Sequence, residues 1–122
     1  PGPMRSLVVK TTCGTDRPEA ANQAFTVAAG AVASGADVSL WLTGEAAWFA
    51  LPGRAAELVL DHAMPLASLL ETVLEGGQVT LCTQCAARRH ITAEDVIPGI
   101  RIAGSALFVE EVLTEGAQAL VY

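Results

Sequence analysis

The residue patterns of this chain predict an α/β fold: three layers, α/β/α, around a five-stranded parallel sheet in the flavodoxin-like order 2-1-3-4-5. Three observations carry the prediction. Short apolar runs alternate with stretches of helical periodicity, and that alternation is satisfied by a parallel sheet with right-handed crossovers. The runs are continuously apolar, as in strands buried on both faces. The 122 residues suit one domain, which can bury roughly two-thirds of its unfolded surface without a metal or disulfide staple. Pro1-Gly2-Pro3 before Met4 reads as a cloning remnant, leaving residues 4–122 as the single domain.

Leu7-Val8-Val9 is the first strand, ended by the polar loop Thr11-Thr12-Cys13-Gly14-Thr15. Asp16, followed three residues later by Glu19, marks a helix start, and Pro18 fits the first turn, where its missing N–H costs nothing. Ala21, Phe25, Ala28 and Val32 follow at helical spacing until Gly35, a C-terminal cap. Val38 to Leu42 is the second strand, stopped at Thr43-Gly44-Glu45. Ala46 to Leu51 forms a short helix broken by Pro52-Gly53. Between Arg54 and Met64 the pattern weakens, and Leu58-Val59-Leu60 fits either a short strand or a buried turn. Pro65 opens a helix with Leu66, Leu69, Leu70, Val73 and Leu74 in one stripe, closed by Gly76-Gly77. Val79-Thr80-Leu81 is the third strand and runs into Cys82. Ala86-Ala87 suits a short helix. Thr92-Ala93-Glu94-Asp95 is a capped turn before Pro98-Gly99. Ile100 to Ile102, Ser105 to Thr114 and Ala119 to Val121 complete a strand, a helix and a last strand, with Gly116 as the helix cap.

The composition bounds the partners. The net charge is −6, which disfavours nucleic acid and anionic membrane, since both attract basic patches. The chain is 52% apolar and 16% charged. So little polar surface points to a homo-oligomer that hides an apolar face. No apolar run is long enough to span a bilayer. Three cysteines form no disulfide framework, and the odd count fits a reducing compartment. The start lacks a signal-peptide pattern, so the expected location is the cytoplasm.

In an open parallel sheet, ligands gather beyond the carboxyl ends of the strands, where strand order reverses. In the order 2-1-3-4-5 that point lies between strands one and three. The loop after strand one carries Cys13, and the loop after strand three carries Cys82 and Cys85. All three thiols are expected on one rim, from neighbouring strands. Cys82 stands where a strand hands over to a helix, a position at which unpaired backbone N–H groups favour a thiolate. Arg89 falls on a helix face shared with Cys82 and Cys85. Against this stands the ordinary fate of cysteine, which is inert burial in a core.

Three chemistries fit Cys82-Thr83-Gln84-Cys85. A structural zinc site needs four ligands, and only Cys13, His62 and His90 remain as further donors. A thioredoxin-like redox pair has the right spacing, but Thr83-Gln84 is unlike the usual intervening residues. The third is a single nucleophilic or sulfur-carrying cysteine with Cys85 as accessory. Asp61 beside His62 is a weaker acid–base candidate, since neighbours in sequence seldom point the same way. Trp41 and Trp48 read as core or interface aromatics. No glycine-rich phosphate loop is present, and no cofactor or metal is called for.

The run Leu81-Cys82-Thr83-Gln84-Cys85-Ala86-Ala87-Arg88-Arg89 resembles the cysteine motif of the DsrE/DsrF-like family, the sulfur-relay group that includes the TusD-type proteins. There a cysteine ends a core strand and opens a short helix of small residues followed by arginine. The likeness extends over nearly the whole chain, from the polar loop after strand one to the closing Ala119-Leu120-Val121. It implies a sulfur-handling protein, a sulfurtransferase-like carrier if it is an enzyme. Cys82 would hold a sulfane sulfur as a persulfide, Cys85 or Cys13 would resolve it, and Arg88 and Arg89 would support it. It further implies donor and acceptor proteins and self-assembly, with a trimer or hexamer favoured over a dimer. One departure stands out: the family commonly has glycine after the arginine, where this chain has His90. Two readings of other classes stay open, an oligomeric small-ligand binding or regulatory module, and a thiol–disulfide switch among Cys82, Cys85 and Cys13.

Overall fold

A computed structural model describes residues 5–122; the remnant read at 1–3 lies outside the described residues. In chain order the elements are β1 (Ser6–Thr11), α1 (Pro18–Ala33), β2 (Asp37–Leu42), α2 (Leu66–Gly76), β3 (Gln78–Cys82), α3 (Thr83–Arg88), β4 (Arg101–Ala103), α4 (Ser105–Leu113) and β5 (Ala117–Val121). Two 3-10 helices, Gly44–Ala50 and Ala55–Glu57, fill the segment between β2 and α2. The first replaces the short helix expected at Ala46 to Leu51. Around Leu58 the chain forms no strand; Leu58 is a loop residue buried in the core, and Val59 is exposed. At the start of α1 the N-cap is Arg17, with Pro18 in the first turn. Asp16 instead accepts the Gly14 N–H at 2.8 Å and shapes the loop before the helix.

All five strands are parallel, as expected. Their order is β4-β3-β2-β1-β5 rather than 2-1-3-4-5. The expected order needs α1 and α2 on opposite faces, because right-handed crossovers in opposite directions land on opposite faces. Here the two helices pack against each other. The alanines of α1 present little bulk, and Gly76 of α2 meets Val32 so closely that a side chain there would collide. Three successive crossovers therefore march one way across the sheet, and only α4 turns back, carrying β5 to the free edge of β1.

The faces differ in character. Toward α1 and α2 the sheet shows Val9, Val38, Leu40, Leu42, Val79 and Leu81, all buried. Phe25 of α1 and Phe49 of the first 3-10 helix meet edge to face there, with centroids 5.6 Å apart. Toward α4 the strands show Lys10, Ser39, Trp41, Thr80 and Arg101. A parallel strand buried on both faces would be apolar throughout; these are not, because one short helix covers the second face. No residue of α4 is fully buried.

Candidate functional site

Cys82 closes β3, pairs with Ala103 of β4, and serves as the N-cap residue of α3. Strand alternation puts it on the α4 side of the sheet, two residues beyond Thr80. Its sulfur is half-buried and lies 3.4 Å from Gln84 Oε1, which accepts its S–H. The side chain does not cap the helix. It is thus a free thiol at the rim of the sheet with one polar neighbour.

The other two thiols are free and buried. Cys85 is 8% exposed. The Gly44 N–H, from the turn after β2, donates to its sulfur at 3.2 Å. Cys13 lies in the loop after β1, with Sγ 3.5 Å from the Thr12 hydroxyl. The loop of Cys13 and the helix of Cys85 both pack on the Gly44–Glu45 turn. Gly44 adopts φ +53°, and a side chain there would strike the Thr12 carbonyl; one on Gly14 would strike that of Glu45.

The expectation that Cys13 and Cys82 follow neighbouring strands is therefore corrected: β2 lies between β1 and β3. The order reverses between β1 and β5, where Tyr122 C=O accepts both the Thr12 N–H and the Thr12 hydroxyl. Cys82 lies toward the β3–β4 end of the same rim.

The arginines divide. Arg88 is exposed. Arg89 donates twice to Glu45 Oε2, from Nε at 3.2 Å and Nη2 at 2.8 Å, and once to the Cys85 carbonyl at 3.2 Å. Its guanidinium also lies 5.9 Å from the Trp48 ring centroid, within cation–π range. It contacts the backbone of the cysteine motif. Glu45 was missed in the sequence because it is far from the motif along the chain.

The remaining candidates stay apart. Asp61 and His62 are exposed with no hydrogen bond between them. Among the described residues no three His, Cys, Asp or Glu side chains gather as a metal site. A second polar cluster, unforeseen in the sequence, lies under α4. Glu111 accepts from the Ser39 hydroxyl at 2.6 Å, Trp41 Nε1 at 2.9 Å and Arg101 Nη2 at 2.8 Å. Burial pushes its carboxyl up, but those hydrogen bonds and the Arg101 charge outweigh it and leave the carboxyl below its ordinary value. It lines a cavity of about 210 Å³ with Ser6, Asp37, Ser39 and Gln78, at the amino ends of the strands and so away from Cys82.

Fold and site together define a small parallel α/β protein with a free, accessible thiol at the carboxyl end of a central strand. Residues 6–121 match the model of the DsrE/DsrF-like family, and the chain belongs to that family. Among solved structures it is similar to the YchN protein from E. coli, with a TM-score of 0.78, 19% identity, and 98% of this chain and 99% of that one covered. It is also similar to MTH1491 from Methanobacterium thermoautotrophicum, a protein of unknown function, with a TM-score of 0.70, 8% identity and coverage of 98% and 100%. A third, BT1422 from Bacteroides thetaiotaomicron, also of unknown function, gives 0.60, 16%, 96% and 94%. At these identities the likeness is one of fold. No curated protein matches the chain in sequence.

Proposed function

We propose that this protein is a sulfur carrier that holds sulfane sulfur as a persulfide on Cys82. The observation that carries the reading is the placing of the three thiols: Cys82 is partly exposed at the rim, and Cys13 and Cys85 are buried. Family membership supports a sulfur-relay type of protein. In the transfer, the Cys82 sulfur attacks the terminal sulfur of a donor persulfide. A new S–S bond forms at Cys82 and the donor's S–S bond breaks. The donor leaves as a thiolate and takes the proton that Cys82 gives up. The step is an exchange and needs no external oxidant or reductant. Delivery to an acceptor thiol repeats it in reverse.

Intact-mass spectrometry after incubation with a small persulfide donor tests this. The expected result is a gain of one sulfur, removed by a reductant and absent in Cys82→Ser. No gain on the native chain, or an equal gain on Cys82→Ser, overturns it.

The same reading includes self-association. Val109 and Leu113 on α4, and Val121 of β5 on the same side of the sheet, are exposed. Among the described residues the outer edge of β5 is unpaired, and the strand has none of the charges or prolines that usually guard such an edge. A second copy suits this face, since an isologous contact presents identical apolar residues from both sides.

A further inference from the structure

A helix of six residues is too short to hold itself in water. α3 is that short, yet it carries Cys82 at its start. What fixes it is a set of contacts to the turn after β2. The Gly44 N–H reaches the Cys85 sulfur at 3.2 Å. Arg89 forks onto Glu45, bonds the Cys85 carbonyl at 3.2 Å, and lies over Trp48. The turn itself is wedged against the loop of Cys13, with no room for a side chain on Gly44 or Gly14.

We infer that Cys85 and Arg89 are positioning residues: with Gly44 and Glu45 they clamp α3 to the β2 turn and so hold Cys82 in place at the rim. Cys85 serves as an acceptor for the Gly44 N–H, not as a thiol that attacks the Cys82 persulfide. The inference rests on Cys82 being the reacting sulfur. Its logic is that a nucleophile held in a reactive geometry loses rate when its support loosens.

The two roles of Cys85 respond differently to serine. An acceptor needs only a lone pair, which a hydroxyl supplies; a resolving thiol needs sulfur. Sulfur loading at Cys82 is expected to slow about fivefold in Cys85→Ala and in Arg89→Gln, the size one hydrogen bond is worth. Cys85→Ser is expected to load at the native rate. Amide exchange across residues 83–88 should quicken in the first two variants and stay native in the third, with β1 and α1 unchanged in all.

The inference is overturned if Cys85→Ser behaves like Cys85→Ala, or if a Cys82–Cys85 disulfide accumulates in the native protein during turnover. It is equally overturned if exchange in α3 ignores these substitutions. A native chain that takes up no sulfur sinks the carrier reading instead, and the exchange pattern still decides the clamp.

Discussion

His90 has φ +56°, in the left-handed region that glycine enters freely and other residues avoid. The family's usual glycine at this place thus has a backbone reason, and this chain meets it with an unfavourable residue. The turn is nonetheless formed: the His90 N–H bonds Ala87 C=O at 3.2 Å and the Ile91 N–H bonds Ala86 C=O at 2.9 Å. His90→Gly is expected to stabilise the fold by about 1 kcal/mol, once glycine's greater unfolded-state freedom offsets part of the relieved strain. Denaturant unfolding checks it; a loss of stability would mean that the imidazole makes a contribution of its own. At the same scale, Cys82 was legible in the sequence because its position follows from strand and helix patterns. The partners of Cys85 and Arg89 were not, because Gly44 and Glu45 lie about 40 residues earlier and only the β2–β3 pairing brings them near.

Among the elements, α4 is held unlike the others. α1 and α2 bury alanine, leucine and phenylalanine against the sheet, and Phe108 of α4 meets Trp41 edge to face at 5.5 Å. Lys10 Nζ of β1 also lies 5.0 Å from the Phe108 ring centroid, and Glu111 adds a carboxylate that takes three donors from β2 and β4. Glu111→Gln keeps one acceptor oxygen and loses the charge, and it is expected to cost about 1–2 kcal/mol near neutral pH. The pH dependence follows from the lowered carboxyl. Its contribution is complete above the ordinary value of 4.5 and is lost as pH falls through the lower folded value. The gap between Glu111→Gln and the native protein should therefore close in acid; urea titrations at pH 7 and pH 3 measure it, and a constant gap counts against the carboxylate. The periodicity of Ser105 to Thr114 predicted the helix. It did not predict a polar seat, because Ser39, Thr80 and Arg101 look like interruptions within apolar strands until α4 is laid over them.

For the whole molecule, several exposed apolar side chains gather on the α4–β5 side, apart from Val59 and Met64 in the segment before α2. Leu113 is 77% exposed and Val121 is 63% exposed, a costly arrangement for a chain with so few charges. Self-association through this side predicts that Val121→Glu or Leu113→Glu lowers the mass in sedimentation equilibrium toward that of a monomer, with the fold retained. A native protein that sediments as a monomer at micromolar concentration, or variants that leave a native assembly intact, would remove this surface from consideration. Among the described residues no helix is long and apolar enough to cross a membrane.

The sequence by itself determined the parallel α/β architecture, the place of nearly every element, and the position of Cys82 at the end of a central strand. These follow from local periodicity, from turn residues such as Gly35 and Pro52-Gly53, and from the handedness of crossovers, all of which act over short stretches of chain. Tertiary structure decided the order β4-β3-β2-β1-β5, and with it which loops share a boundary. That choice depends on whether α1 and α2 share a face, which the close approach of Gly76 to Val32 settles across some 40 residues. It separated Cys13 from Cys82 by a strand, brought Gly44 and Glu45 onto α3, and left the thiol of Cys82 more accessible than the other two.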